Sequence, residues 1–350
     1  MEGSYDPREI GGEGVMDDVL YGKRDKRGNW KPLEPIEYPP VFVWPVAPVR
    51  FLKWFFGYPG YILPWNLVYA AVAIAMWYCL TPPLETMRSF APGWIAYLLA
   101  RNAIIVLLFF GAFHLRLYVQ KKQGTSFKFN GKWLTADGAG FLFRNQLTDN
   151  LIWTFCSGVP LWTAYEAVTL WAFANSYIPF VSLEQHPLYS IALMLLVPVL
   201  RDIHFYLVHR LIHWPPLYHA VHKLHHQNVN PGPWSGLAMH PIEHALYFSG
   251  VLIHWIVPSH PIHALFHLAH AALAPVPGHT GFDKIVLGKN TTIDTDSFAH
   301  YLHHKHFECN YADGVIPLDK WFGTFHDGTP EAEEAMNRRF LARTAKKAAA

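Results

Sequence analysis

Histidine side chains in three tight groups are the part of this sequence best suited to chemistry. They form one H-x-x-x-H pair and two H-x-x-H-H triplets, which are His209 and His213, then His222, His225 and His226, then His300, His303 and His304. On a helix, residues three and four apart share a face, with Cβ atoms about 5–6 Å apart. Imidazole suits iron, zinc, copper and nickel. The spacing therefore predicts that the groups converge on metal ions, although a single histidine is more often a core or surface residue.

The number of histidines favours two metal ions. A structural zinc site takes four ligands, which are often cysteines, and eight histidines exceed one such site. The three cysteines, Cys79, Cys156 and Cys309, show no paired spacing. Neither a disulfide framework nor a cysteine-based zinc site is therefore predicted.

Ligand histidines need an acceptor for their other ring nitrogen. Asp202 lies seven residues before His209, two helical turns away on the same face, and is a candidate for this supporting role. Glu243, Asp294 and Asp296 lie near the other groups in sequence. A further residue, His204, falls on the opposite side of the helix from His213 and is not predicted to be a ligand.

The composition indicates a membrane protein. Hydrophobic residues make up 51% of the 350, aromatic residues 16% and charged residues only 15%, which is typical of membrane spans with interfacial aromatic belts. A spanning helix needs about 20 mostly apolar residues. Such runs predict four spans, at about 61–80, 93–117, 151–174 and 188–208. The formal net charge of +2 gives no reason to expect a nucleic-acid partner, and the polar N-terminus predicts no cleaved signal peptide.

The distribution of basic residues predicts the orientation. The N-terminal arm and residues 116–144 are basic, whereas the links 81–92 and 175–187 contain a single arginine. Basic loops face the cytoplasm. The N-terminus, residues 116–150 and the histidine groups are therefore expected on the cytoplasmic side, of a bacterial inner membrane or of the endoplasmic reticulum.

Residues 245–274 are apolar but interrupted by Pro258 and Pro261. Each half has about thirteen residues, too few to span, and proline breaks a continuous helix. We therefore expect an interfacial hairpin that returns to the cytoplasmic side. Its histidines are expected to be interfacial residues rather than ligands; they are His254, His263, His267 and His270.

The predicted fold is all-α and integral to the membrane, with four transmembrane helices, the interfacial hairpin and a helical cytoplasmic cap that carries the histidines. We expect four parts: a cytoplasmic arm (1–60), three transmembrane helices with their loops (61–187), a catalytic domain (188–327) and a tail (328–350) that is helical over 330–347.

The catalytic part resembles the fatty acid hydroxylase and sterol desaturase superfamily of membrane di-iron oxygenases, over about Leu188 to Asp327. Besides the histidine groups, the residues that carry the resemblance are Asp202, Phe205-Tyr206, Arg210, His240-Pro241 before Glu243, Asn310-Tyr311, Pro317-Leu318-Asp319 and Phe322-Gly323-Thr324. The resemblance implies a non-haem centre of two iron ions that uses O₂ and external electrons to hydroxylate or desaturate a lipid. It also implies that all eight grouped histidines are metal ligands.

One motif departs from the fuller family pattern, in which some members have a further H-x-x-x-H pair before the last triplet. His279 is present, but Pro275 occupies the position four residues before it. We expect His279 to be a ligand, with His240, His244 or water as the additional one. Because the arm lacks a cytochrome b5-like His-Pro-Gly-Gly segment, the electron donor is expected to be a separate protein, either cytochrome b5-like, a ferredoxin or a reductase.

Several alternatives stay open at the level of sequence. The lipid is expected to be a sterol or a long-chain lipid, with fatty acyl, sphingoid or alkylglycerol substrates as alternatives. Purified protein is expected to accept zinc in place of iron, since zinc competes well for imidazole. Two other classes are a bis-histidine haem carrier, which needs isolated histidines on facing helices, and a metal transporter, which holds its ligands near the middle of the membrane.

Overall fold

Helices dominate the computed structural model, which describes residues 18–312 and 314–348. The predicted helical architecture is confirmed at this level. Residues 1–17 of the predicted arm and the last two residues of the predicted tail lie outside the described residues. The helices are α1 (Pro48–Phe56), α2 (Trp65–Leu80), α3 (Pro92–His114), α4 (Gln146–Trp153), α5 (Val159–Ala174), α6 (Pro187–Ile212), α7 (Pro215–Leu217), α8 (Lys223–His226), α9 (Pro241–Phe248), α10 (Pro261–Leu273), α11 (Pro275–Gly278), α12 (Phe298–His306), α13 (Leu318–Trp321) and α14 (Pro330–Ala348).

Two helices among the described residues are long and apolar enough to cross a membrane, Pro92–Val119 and Pro187–Ile212. They match the second and fourth predicted spans. The first predicted span contains α2, which has only 16 residues. The third lies in a continuous helix in which a π-helical turn, Thr154–Gly158, joins α4 to α5. Two candidate spans are therefore found, and the four-span arrangement stays a prediction.

Two small antiparallel hairpins lie beside the bundle. Strand β1 (Gly22–Arg24) pairs with β2 (Trp30–Pro32), and β3 (Lys284–Gly288) pairs with β4 (Thr291–Asp294). The first hairpin meets residues 116–150 where the Trp30 N–H donates to the Phe129 carbonyl oxygen at 3.1 Å. The second meets them through a bridge between Lys128 and Phe282. These segments build a cap at one end of the bundle, which we call the cap end.

The links 81–92 and 175–187 meet at the opposite end. The side-chain amide of Asn175 donates to the Arg88 carbonyl oxygen at 3.1 Å. The described parts of the three segments predicted to be cytoplasmic therefore lie at the cap end, and both links predicted to lie across the membrane are at the far end. Which end faces the cytoplasm stays a prediction.

The hairpin at 245–274 differs from the prediction. The chain does break between Trp255 and Pro261, but the tip reaches the far end, where Ser259 bridges Phe180. All thirteen residues of α10 are buried, because this helix packs against α2, α5 and α6. The prediction of an interfacial hairpin with interfacial histidines was wrong, because protein surrounds the returning helix and its histidines bond to one another and to neighbouring helices.

A cluster of charged side chains is buried inside the bundle. Arg101 of α3 pairs with Glu166 of α5, and both side chains are buried. The side-chain amide of Asn102 donates to Glu166 Oε2 at 2.9 Å and to Thr163 Oγ1 at 3.1 Å. Intramembrane charges are tolerated when they are paired in this way. The cluster joins α3 to α5 and contains no metal-ligand histidine.

Candidate metal centre

The predicted ligands come from four places in the fold that meet at the cap end. His209 lies in the last turn of α6, and His213 caps that helix. A π-helical turn, Tyr218–His222, runs directly into α8 and presents the first triplet. The second triplet lies on α12, and His279 follows α11. The 3.6-residue helical period thus turns each sequence group into a cluster on one face.

All nine predicted histidines are brought together in two groups, within each of which the candidate ligand atoms lie within 4.8 Å of one another. The five-histidine group contains His209, His213, His222, His226 and His303; the four-histidine group contains His225, His279, His300 and His304. All nine are buried except His213, which is half-buried. The arrangement has room for one ion in each group.

Each triplet divides its histidines between the two groups. In the first triplet, His222 and His226 belong to the five-histidine group and His225 to the four-histidine group. In the second, His303 belongs to the former, whereas His300 and His304 belong to the latter. The side chains of the two adjacent histidines in H-x-x-H-H point in different directions on a helix. One short helix therefore supplies histidines to both groups.

Hydrogen bonds at Nδ1 orient several of these rings. Nδ1 lies 2.7 Å from the Tyr311 carbonyl oxygen in His209, 2.7 Å from the Cys309 carbonyl oxygen in His303 and 2.7 Å from the Pro275 carbonyl oxygen in His279. A carbonyl oxygen only accepts, so Nδ1 carries the proton and Nε2 keeps its lone pair. Such bonds fix the ring and the tautomer in metal sites. The lone pairs are therefore directed into the cluster.

The nitrogen spacing fits a bound cation. The Nε2 atoms of His279, His300 and His304 form a triangle with sides of 3.0–3.1 Å. One nitrogen cannot both donate and accept, so at most two sides can be hydrogen bonds. A metal about 2.1 Å from each nitrogen places neighbouring ligands about 3.0–3.4 Å apart. In the five-histidine group, His226 Nε2 lies 3.2 Å from His213 Nε2 and 3.1 Å from His303 Nε2.

Burial keeps these imidazoles neutral. It lowers the pKa of His225 to about 4 and that of His303 to about 3, while hydrogen bonds to backbone carbonyls act in the opposite direction. For His222, burial and the neighbouring histidines lower the pKa well below its usual value. Neutral imidazole is the form that binds metal. The centre is therefore ready to bind metal at neutral pH.

Glu243 is a carboxylate that contacts a grouped histidine. Its Oε1 lies 2.7 Å from His222 Nδ1, and both side chains are buried. The Oε2 atom is buried without a hydrogen-bond partner. Burial raises the pKa of Glu243 well above its usual value. Glu243 thus supports His222 through its side chain, where other rings are supported by backbone carbonyls.

Asp202, the predicted supporting acceptor, occupies a different position. Its Oδ2 accepts the Val315 N–H at 2.7 Å, and its Oδ1 lies 3.6 Å from Arg201. The Tyr311 carbonyl oxygen takes the acceptor position at His209. Asp202 therefore fastens the segment after Tyr311 to α6. Asp294 pairs with Lys284 at 2.6 Å, and Asp296 lies in the same turn.

Neither candidate for an additional ligand joins a group. His240 caps α9 by accepting the Ile242 N–H at 3.2 Å. The Nδ1 atom of His244 lies 2.8 Å from Ser157 Oγ, and its ring faces Gly158. His204, which was not predicted to be a ligand, lies outside both groups and contacts Ser249 Oγ at 2.9 Å. The two groups are therefore built from the nine histidines named above.

A small pocket of about 20 Å³ lies against both groups. This volume is enough for one water-sized molecule. Ligands from both groups line it, together with Glu243 and, on the side of α6, Arg201 and Phe205. A small molecule in this pocket would contact both groups at once, and we call it the inner pocket.

Comparison with known proteins places the centre in context. Residues 194–324 match the model of the fatty acid hydroxylase family. A Delta(7)-sterol 5(6)-desaturase of Gibberella zeae is 31% identical over 143 residues, which are 40% of this chain and 43% of that protein. A methylsterol monooxygenase of Aspergillus fumigatus is 28% identical over 195 residues, 54% of this chain and 62% of that protein.

A Delta(7)-sterol 5(6)-desaturase of Candida glabrata is 28% identical over 155 residues, 43% of this chain and 41% of that protein. The chain thus spans about half the length of these curated relatives. No solved structure matches it significantly. The matches to the family and to sterol-modifying relatives confirm the resemblance predicted from the histidine motifs.

Proposed function

We propose, from its similarity to the fatty acid hydroxylase and sterol desaturase superfamily, that this chain is a membrane oxidoreductase that oxidises a lipid with O₂. The two histidine groups, with lone pairs directed inward and rings fixed at Nδ1, are the observation that carries the proposal. We propose iron as the resident metal, with the nine grouped histidines as its ligands. Two bound iron ions would supply the activation of O₂ needed to oxidise an unactivated C–H bond.

A sterol is the substrate that the relatives favour, because they include sterol desaturases and methylsterol monooxygenases. Hydroxylation converts R–H, O₂, two electrons and two protons into R–OH and water. Desaturation takes the same O₂, electrons and protons and releases two waters with the alkene. Both reactions need electrons from a separate donor protein, for which we propose a cytochrome b5-like protein, a ferredoxin or a reductase.

The protein's own groups have three tasks in this proposal. The backbone carbonyls and Glu243 hold the imidazoles in their metal-binding orientation. The inner pocket excludes all but a small molecule beside the two groups. The apolar helices place the centre at one end of the bundle, and we propose that this end is cytoplasmic, below four spans. Exclusion of bulk water protects reactive oxygen species from side reactions.

The test combines metal analysis with turnover. We expect two iron ions per chain, consumption of O₂ that depends on sterol and donor, and an oxidised sterol by mass spectrometry. His303→Ala should abolish turnover and lower the iron content, while His219→Ala, at an ungrouped histidine in the same cap, should retain both. One iron ion per active chain, or a haem absorption band, would contradict the proposal.

A further inference from the structure

A second, much larger cavity of about 870 Å³ lies next to the metal centre. This volume is within the roughly 300–1,000 Å³ typical of ligand sites. Residues 32–61 form its outer wall, and the opposite wall consists of the start of α2, the middle of α6 and the turns around α11 and α12. The outer wall lies outside residues 194–324, which match the family. This cavity therefore combines segments inside the family match, such as the middle of α6, with segments outside it, which are residues 32–61 and the start of α2.

The cavity reaches the metal centre through α6 and two ligand-bearing turns. Arg201 lines both this cavity and the inner pocket. Its guanidinium donates to Tyr247 Oη at 2.9 Å, and the residue is buried, so we place it between the two spaces. Gly278 and Ala299 also line the cavity, and each directly precedes a histidine of the four-histidine group. A molecule bound here would lie beside the centre, with Arg201 between them.

The charge around the cavity disfavours an anionic ligand. Among the described lining residues, carboxylates outnumber basic side chains. Arg50 at the outer wall is paired with Glu37 at 2.6 Å, and Lys284 is paired with Asp294 at 2.6 Å. A phosphate or sulfate would therefore meet excess negative charge. Like charges brought together in this way disfavour binding.

Uncharged polar groups also line the cavity. Asn66 of α2 contacts His270 of α10, with its Oδ1 3.0 Å from Nε2, and the buried Nδ1 atom of His270 has no hydrogen-bond partner. Tyr69 lies beside them on α2, with its ring 5.0 Å from that of His270. Buried polar groups usually have partners. A ligand hydroxyl is the kind of neutral group that suits this polar region.

Helix α1 gives a lipid a route to the cavity. It carries Arg50 and Lys53 among apolar residues, and all nine of its residues are exposed or half-buried. Short amphipathic helices with basic residues lie in the membrane interface. Trp54 of this helix also lines the cavity. The outer wall therefore includes a helix suited to the membrane surface, where lipids are available.

We infer that this cavity binds a neutral lipid of the sterol class that carries a hydroxyl, and that residues 32–61 select it over anionic lipids. The choice of a sterol rests on the proposed function. The position of the cavity, its charge and its outer wall do not depend on turnover. In this arrangement the metal centre carries out the oxidation, and the outer wall determines which lipid is bound.

Energy transfer from Trp54 and Trp65, which line the cavity, to the fluorescent sterol dehydroergosterol tests the inference. The full chain is loaded with zinc, so binding is measured without turnover. We expect saturable binding, with a neutral sterol competing at least 10-fold better than the sterol sulfate. Ala274→Phe fills the wall and should weaken binding at least 10-fold. Ala103→Phe, at a half-buried alanine on α3 outside the cavity, is the matched control and should not.

A charge reversal at the surface keeps the test decisive even if Ala274→Phe fails to fold. Glu34 is exposed on the outer wall, so Glu34→Lys should raise the affinity for the sterol sulfate at least 3-fold. Glu184→Lys, at an exposed carboxylate of the far end, should not change it. Equal affinities for sterol and sulfate, or unchanged binding by zinc-loaded Ala274→Phe, would overturn the inference. If sterol binds as expected but iron-loaded protein does not oxidise it, the proposed function fails and the lipid site stands.

Discussion

Replacing Glu243 should weaken the binding of one metal ion and leave the binding of the other unchanged. Glu243 Oε1 lies 2.7 Å from His222 Nδ1 in a buried setting, and His222 belongs only to the five-histidine group. A cation bound to His222 favours the ionised form of Glu243, and a hydrogen bond to a charged group contributes about 1.5–3 kcal/mol. Since about 1.4 kcal/mol corresponds to a factor of ten, we expect Glu243→Ala to reduce the affinity of that group about 10–100-fold, as is typical of residues that support a ligand.

The assay is a competition titration of zinc between the protein and a chromophoric chelator, which resolves a tight and a weakened site. Glu243→Gln keeps an acceptor oxygen but loses the charge, so its effect should be smaller than that of Glu243→Ala. The matched control is Glu166→Gln. Glu166 is equally buried but pairs with Arg101 in the bundle, so this variant should lower the melting temperature without weakening one ion selectively.

Two results would refute the reasoning. Unchanged affinity of both ions in Glu243→Ala would mean that the bond to His222 does not support metal binding. An equal loss at both ions would mean that Glu243 acts on the fold as a whole rather than on one group.

Three further predictions follow from the geometry. His267→Ala should keep both metal ions but lower the melting temperature, because it removes the 3.3 Å contact with buried His254; loss of metal would contradict this. The metal-free protein should lose stability as the pH falls from about 6.5 towards 4, since the unfolded chain takes up protons in this range while folded His225, with a pKa of about 4, does not; a flat melting temperature over this range would contradict it. In a background without native cysteines, Lys122→Cys and Lys305→Cys should be labelled from one side of the membrane and Glu184→Cys from the other; labelling of the first two from opposite sides would contradict the cap arrangement.

The histidine groups could be read from the sequence because the ligand spacing follows the helical period. The same spacing predicted two ions, which stays a prediction. The structure places His279 in the four-histidine group although its H-x-x-x-H partner is missing. The supporting acceptors were harder to foresee. They are mostly backbone carbonyls, which carry no sequence signal of their own, although the Asn310-Tyr311 motif marks the position of one. Asp202 shares a helical face with His209, but the Tyr311 carbonyl oxygen reaches that ring instead.

The fold was predictable where hydropathy alone decides it. The apolar runs of α3 and α6 correspond to predicted spans, and the prolines correctly marked the break before α10. Hydropathy could not distinguish a helix at the membrane surface from one surrounded by protein, because both are apolar. The burial of α10 depends on α2, α5 and α6 packing around it, which is tertiary information. The buried position of Arg101 also depends on tertiary contacts, because its partner Glu166 is 65 residues away in sequence.

The division of each triplet between the two groups has a consequence for how the protein acquires its metal. Helix α8 and helix α12 each supply histidines to both groups. If each group binds one ion as proposed, the first ion orders backbone that the second ion also needs, and the entropy of ordering is lost only once. This gives positive cooperativity. At half the metal needed for saturation, the population should consist mainly of empty and doubly loaded chains, with few chains that hold one ion.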